Sequence, residues 1–354
     1  MLYRKYRPQT FAQLVGQDHV VKTLQGALTS GRVGHALLFT GPRGTGKTTM
    51  ARVFAKALNC ANRQSDGAPC NICPSCTGVN AGISLDLIEI DAASNRGIDE
   101  IRNLKESAGV AAPSGGYKVF LIDEVHMLTK DAFNALLKIL EEPPQHVVFI
   151  LATTEPHKIL PTVLSRVQRF DFRRLSNFHI VSKLKEISKA EKIHIGDDAL
   201  TAIAASADGA LRDAEVSLTK IRAMIPDGEV SVDQVNQILG LIPHTYHPQF
   251  LQALTTGDKA AAVALIHSIH DGGLDLEHFA KEFLEYTRKA LLSRINPVML
   301  VSIDGQGSDQ QFAQFAAVDN QKLIKIISVF TAARAQIKSS PIPQLPLELA
   351  ILEV

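Results

Sequence analysis

Gly41-Pro42-Arg43-Gly44-Thr45-Gly46-Lys47-Thr48 spells G-x-x-x-x-G-K-[ST] in full, and Thr49 follows it. An apolar run at 36–39 precedes it and a helix-period segment starts at Lys47. Strand, glycine-rich turn and helix in that order make a phosphate cradle. Gly41, Gly44 and Gly46 let the backbone curl until its N–H groups face phosphate oxygens, and the helix N-terminus adds positive partial charge. In such a cradle Lys47 reaches the β- and γ-phosphates and Thr48 offers its hydroxyl to Mg²⁺. A purely structural glycine turn does not account for the whole motif in this setting.

About 75 residues after Thr48, Val119-Phe120-Leu121-Ile122-Asp123-Glu124 is an apolar run that ends in two acids. Carboxylates at such a strand end lie beside the phosphate loop. Asp123 is expected to hold Mg²⁺ and Glu124 to orient and polarise an attacking water. An isolated Asp-Glu pair is as readily a helix N-cap. Downstream of a complete phosphate loop, the chemical reading is preferred.

Two further apolar runs, at 147–151 and less purely at 85–90, resemble buried strands. Alternation of such runs with helical patterns predicts an α/β domain whose parallel sheet is covered on both faces. After Asp131, Phe133, Leu136, Leu137 and Leu140 share one helical face, which Pro143-Pro144 ends. Beyond about Phe172 strand signals fade. Short helices punctuated by Gly196, Gly209 and Pro226-Asp227-Gly228 are expected over 176–240. A second helical block is expected from about 245 to the end, with a Gly-, Asp- and Ser-rich loop at 296–310. The 354 residues accommodate this plan of one α/β and two helical domains.

Composition limits the partners. Net charge is +1, so any nucleic-acid contact must come from a local patch or an assembled surface. Trp is absent and aromatics make up 6%, which argues against a base-stacking platform. The N-terminus, Met1-Leu2-Tyr3-Arg4-Lys5-Tyr6-Arg7, is charged at once and has no apolar h-region. Apolar runs fall far short of the roughly 18 residues that span a bilayer. A cytoplasmic protein is expected.

More of the chain narrows the class. Arg4-Lys5-Tyr6-Arg7-Pro8-Gln9-Thr10-Phe11 is followed by Val15-Gly16-Gln17, and the acidic strand end continues as His126-Met127-Leu128. Phe133-Asn134-Ala135-Leu136-Leu137-Lys138 runs into Leu140-Glu141-Glu142-Pro143-Pro144. Ala152-Thr153-Thr154-Glu155-Pro156, Leu164-Ser165-Arg166 and Gly209-Ala210-Leu211-Arg212-Asp213-Ala214 follow in that order. This set, over residues 1 to about 240, closely resembles the gamma/tau ATPase subunits of bacterial DNA polymerase III clamp loaders, of the AAA+ class. The last hundred residues resemble them only in helical character and length.

The resemblance implies an AAA+ nucleotide-binding domain at 1–174, a helical lid at 175–240 and a helical collar at 241–354. It implies an ATPase within the DNA polymerase III holoenzyme, a DNA-directed DNA polymerase complex, that loads a sliding clamp onto primer–template DNA. Arg7, Pro8 and Val15 match the adenine side of the site. Thr154 matches sensor 1, Arg166 the finger that reaches the neighbouring subunit's ATP, and Arg212 sensor 2. Arg102, Lys138 and Thr162 match positions facing the DNA backbone. Implied partners are delta, delta-prime, further gamma/tau copies, the clamp and DNA. Val167 stands where the family usually has Cys, but Arg166 is intact. Family members usually continue past the collar, whereas this chain stops at Val354, inside an expected helix. Two competing readings are a branch-migration AAA+ motor and a non-catalytic scaffold subunit. The first should carry a strand-rich basic ending, and the second should lack phosphate-loop residues. Neither feature is present.

All four cysteines, Cys60, Cys70, Cys73 and Cys76, fall in one stretch spaced C-x9-C-x2-C-x2-C. Four thiolates suit tetrahedral Zn²⁺, and a cytoplasmic setting disfavours disulfides. A redox Cys-x-x-Cys would have to open a helix in a thioredoxin-like unit, which is not expected here. A structural zinc module at about 60–80 is predicted, and the resemblance agrees.

Overall fold

The computed structural model describes residues 1–226, 228–243, 245–295, 312–315 and 318–354. Asp227 and the expected loop at 296–310 lie outside them. The chain forms two units, Met1–Ser231 and Val232–Val354.

The first unit carries five parallel strands: β1 (Ala36–Thr40), β2 (Leu87–Asp91), β3 (Lys118–Asp123), β4 (Val147–Thr153) and β5 (Gln168–Asp171). Their order is β2-β3-β4-β1-β5. Around and beyond the sheet run α1 (Leu2–Lys5), α2 (Asp18–Ser30), α3 (Lys47–Leu58), α4 (Pro74–Ala81), α5 (Ile98–Ala108), α6 (Lys130–Glu141), α7 (Pro161–Leu164), α8 (Asn177–Glu191), α9 (Asp197–Ser206) and α10 (Leu211–Met224).

Side chains alternate across a strand, so a strand buried on both faces must be apolar throughout. Leu37, Phe39, Val119, Leu121, Val148 and Ile150 enter one core, with Leu24 and Leu28 of α2 and Met50 and Phe54 of α3. Leu38, Phe120, Ile122, Phe149 and Leu151 enter the other, with Ile101 and Leu104 of α5 and Phe133, Leu136 and Leu140 of α6. Helix α6 starts at Thr129, whose hydroxyl accepts the Ala132 N–H at 3.3 Å, and ends before the two prolines as predicted. On its buried face Ile139 joins the expected set, while Leu137 is only half-buried.

The edges depart from the sequence reading. Strand β2 begins at Leu87 rather than at 85: Leu85 is 71% exposed, and the Asp86 carboxylate accepts the Ser114 N–H at 3.3 Å. Strand β5 was not among the predicted apolar runs. It pairs with β1 alone and buries only Phe170. An edge strand with one wet face needs few apolar residues.

Beyond the sheet, α8, α9 and α10 pack together with a two-residue parallel pair, β6 (His194–Ile195) and β7 (Glu229–Val230). Glu191 ties this layer to the N-terminus, accepting Lys5 Nζ at 2.6 Å, the Tyr6 hydroxyl at 2.7 Å and the Arg222 guanidinium. Lys5, Tyr6 and Arg222 hold its carboxyl down at about 2.

The second unit is helical as expected: α11 (Val232–Leu239), α12 (Tyr246–Thr256), α13 (Lys259–Asp271), α14 (Leu276–Ile295), α15 (Asn320–Ile337) and α16 (Leu345–Glu353). Phe250 is at its centre, edge-on to Phe279, Phe283 and Phe330 at 4.8–5.5 Å between ring centroids. Among the described residues, no helix is long and apolar enough to cross a membrane.

Candidate nucleotide-binding site

The loop that follows β1 and the C-terminal ends of β2 and β3 meet in a cleft of about 540 Å³ in the first unit. Gly41 follows β1 with φ 142°, and a Cβ there would lie 2.3 Å from the Phe172 carbonyl oxygen. Gly44 has φ 76°, and a Cβ there would meet the Ala210 Cβ at 2.8 Å. Both positions exclude a side chain. No side chain caps the N-terminus of α3. Its first-turn N–H groups therefore remain available to an anion.

Arg43, Gly44, Thr45, Gly46, Lys47, Thr48 and Thr49 all line the cleft. Lys47 is 6% exposed and its Nζ donates to the Gly41 and Pro42 carbonyls at 2.7 and 2.9 Å. Gly41 and Pro42 thus support the lysine from behind. Burial lowers the Lys47 pKa, while Glu124 and Asp123 oppose the shift. Thr48 Oγ1 donates to Asp123 Oδ2 at 2.7 Å, so the two expected Mg²⁺ ligands are already adjacent. The donor set fits a hard cation, which takes oxygen ligands.

Glu124 lies beyond the strand with φ 48°, a left-handed conformation that is uncommon for a non-glycine residue and tends to mark functional sites. Its Oε2 accepts the Thr154 hydroxyl at 2.9 Å and the Thr154 N–H at 3.3 Å. Thr154 therefore touches the expected water-orienting group directly. Sequence reasoning did not assign His126, whose nearly buried ring lies behind this pair. Its Nδ1 is 3.0 Å from Thr153 Oγ1 and 3.4 Å from Glu124 Oε2.

Arg7, Pro8 and Val15 form another part of the lining, and Arg212 lines it from the first turn of α10. The Arg212 guanidinium is 5.0 Å from the centre of the Tyr3 ring. Arg166 is not among the lining residues. Half-exposed after α7, it donates to the Thr162 carbonyl at 2.7 Å and to Glu141 Oε1 at 2.8 Å. Arg102 and Lys138 come together in a separate groove between α5 and α6, with Lys105 as a third cation. Exposed Thr162 does not line that groove.

Sequence reasoning also missed Glu215, which lines the cleft one helical turn beyond Arg212. It is 6% exposed, and no described residue donates a hydrogen bond to its carboxylate. Burial raises it from 4.5 to about 7, against the pull of Lys183 and Arg7. The folded protein therefore binds a proton between pH 4.5 and 7 that the unfolded chain has released. Stability from this group is complete below that window and is lost as pH rises through it, by about 3 kcal/mol. Glu215→Gln is expected to raise the melting temperature at pH 8 and leave it unchanged at pH 4. An equal shift at both pH values would refute this.

The four cysteines converge as predicted: their Sγ atoms all lie within 4.8 Å of one another. Cys70 N–H donates to Cys60 Sγ at 3.2 Å and Cys73 N–H to Cys70 Sγ at 3.4 Å. Backbone N–H groups of Ile72 and Cys73 hold the Cys70 thiol down at about 6, while burial pushes Cys76 up. Cys73 does open a helix, as the N-cap of α4, because Pro74 suits the first helical position. Even so, the sulfurs form a group of four rather than a redox pair. The set fits tetrahedral thiolate coordination and could hold zinc.

Comparison with known proteins adds the following. Residues 16–176 match the family described as DNA polymerase III, delta subunit. Residues 179–220 match the DNA polymerase III clamp loader subunit, ATPase lid domain, and 230–354 match DNA polymerase III subunits gamma and tau domain III. The chain is 40% identical to Bacillus subtilis DNA polymerase III subunit tau over 354 residues, 100% of this chain and 62% of that protein. It is 41% identical to Escherichia coli subunit tau over 300 residues, 85% of this chain and 46% of that one. It is 35% identical to Buchnera aphidicola subunit gamma over 355 residues, 100% of this chain and 98% of that one. The chain thus spans about three fifths or less of the two tau relatives. Thermotoga maritima RuvB shares the fold, with a TM-score of 0.51 at 18% identity over 94% of this chain and 92% of that one.

Proposed function

Because the chain belongs to the DNA polymerase III gamma/tau subunit family, we propose that it is an ATP-hydrolysing motor subunit of a clamp loader. One observation carries the reading. Lys47, the Thr48–Asp123 pair and Glu124, whose carboxylate accepts from Thr154, converge on one cleft, while Arg166, the arginine expected to complete a neighbour's site, stands outside it.

In this reading the nucleotide lies along the cleft. Its base sits by Arg7, Pro8 and Val15, and its phosphates lie over Gly44, Gly46 and the first turn of α3. Bound Mg²⁺ neutralises phosphate charge and would be held by Thr48 and Asp123. Lys47 turns from the Gly41 and Pro42 carbonyls to the β- and γ-phosphate oxygens. Glu124 orients the attacking water and Thr154 fixes that carboxylate. Arg212 senses the nucleotide from the lid and Arg166 reaches the site of the adjacent protomer. The domains are 1–174, 175–240 and 241–354, the last serving as the collar. The cysteine module at about 60–80 holds structural zinc. Partners are delta, delta-prime, further copies, the sliding clamp and primer–template DNA, in the cytoplasm.

A nucleotide titration of the purified chain separates the motor from a scaffold subunit. Saturable, magnesium-dependent ATP binding is expected; a chain that binds no ATP would be a scaffold. Arg102, Lys105 and Lys138 are proposed to contact DNA phosphates without reading sequence, with Thr162 nearby in the ring. Lys105→Ala or Lys138→Ala should each reduce the slope of log affinity against log salt by about 1 in the assembled complex. An unchanged slope removes that residue from the DNA surface.

A further inference from the structure

Lys56 lies on α3, nine residues beyond Lys47, and is 1% exposed. Its Nζ donates to the Gln9 carbonyl and Gln9 Oε1, both at 2.8 Å, to Asn71 Oδ1 at 2.7 Å and to Asn80 Oδ1 at 2.8 Å. Three ammonium protons therefore serve four acceptors, none of them charged. A buried cation without a paired carboxylate is costly and seldom kept for packing alone.

The acceptors belong to two different parts of the first unit. Gln9 follows Arg7 and Pro8, the base-side wall of the cleft, and its side-chain Nε2 donates back to the Arg7 carbonyl at 3.2 Å. Asn71 sits between Cys70 and Cys73 with φ 60°, and Asn80 is in α4, which carries Cys76. The second pair therefore moves with the sulfurs. We propose that Lys56 is a positioning residue that fastens the base-side arm of the nucleotide cleft to the cysteine module, so that metal held by the cysteines raises nucleotide affinity.

The inference rests on the nucleotide reading of the cleft and adds a coupling between two sites. Its physical basis is geometric. Cysteines drawn together around a metal tether the loop that carries Asn71 and the start of α4, the helix that carries Asn80. Without that tether the two amides no longer fix the Lys56 ammonium against Gln9, and Arg7 and Pro8 are free to leave the cleft wall.

The test uses the full chain, zinc-loaded or stripped by a chelator, titrated with a fluorescent ATP analogue. Amide hydrogen exchange over residues 6–13 is followed in parallel. Stripping zinc should weaken nucleotide binding about tenfold and speed exchange in the arm. Lys56→Met should retain zinc, bind nucleotide as weakly as the stripped protein and lose little more on chelation. Should Lys56→Met fail to fold, Asn80→Ala removes one acceptor and should show the same pattern in smaller measure. Equal affinity with and without zinc overturns the inference alone, as does full sensitivity to chelation in the variants. If neither form binds nucleotide, the cleft reading fails and takes the inference with it.

Discussion

Lys47→Ala is expected to abolish ATP turnover and ATP-dependent clamp placement while leaving the fold intact. The lysine is 6% exposed, and its only hydrogen bonds among the described residues are to the Gly41 and Pro42 carbonyls of its own loop. Those carbonyls can find water once the cleft is open, and burial already disfavours the charge. Alanine therefore removes little that holds the protein together. What it removes is the cation proposed to face the phosphates. Deleting one partner of a buried charge pair costs roughly 2–5 kcal/mol, some 30-fold to several thousand-fold in affinity or rate. Magnesium-dependent binding and steady-state hydrolysis measure the loss, with thermal melting as the control on folding. Turnover within threefold of the parent protein would remove Lys47 from the chemistry and the phosphate cradle with it.

The parts of this site legible in sequence are those built from contiguous residues under strong local rules. Gly41 to Thr48 must be glycine-rich and end in Lys-Thr, whatever packs around it. Likewise, β3 and β4 are apolar on both faces because helices cover both, so their runs stand out. Legibility ends where one face meets water or where partners come from far along the chain. Strand β5 buries only Phe170, and Leu85, apolar in type, is exposed just before β2. Helix α4 has only eight residues and a proline at its start, too short to stand out between the cysteines. Glu215 and Lys56 look in sequence like ordinary exposed charges on helices. Only the folded chain shows Glu215 facing the cleft and Lys56 beneath Gln9, Asn71 and Asn80. Arg102 and Lys138 were known singly, and the groove that joins them brought in Lys105.

Arg166→Ala should separate binding from catalysis. In the isolated chain, ATP affinity should be unchanged, because Arg166 is not among the described residues lining that chain's own cleft. Its ties are a carbonyl, the Ser165 hydroxyl and the half-exposed Glu141 carboxylate at 2.8 Å. Such a surface pair is worth under about 1 kcal/mol, so the guanidinium can be released at little cost when a neighbouring nucleotide site docks. In the assembled ring, an arginine delivered in trans to the developing γ-phosphoryl charge can contribute about 10³–10⁵ in rate. DNA-stimulated hydrolysis by an all-mutant ring should therefore fall by at least about a thousandfold at saturating ATP. Rings mixed from Arg166→Ala and Lys47→Ala chains give a sharper result. A protomer with an intact cradle beside one with an intact finger forms a complete site, so mixtures should regain activity that neither variant shows alone. Normal turnover in the all-mutant ring, or failure of every mixture to recover, would mean that this arginine acts within its own protomer or not at all.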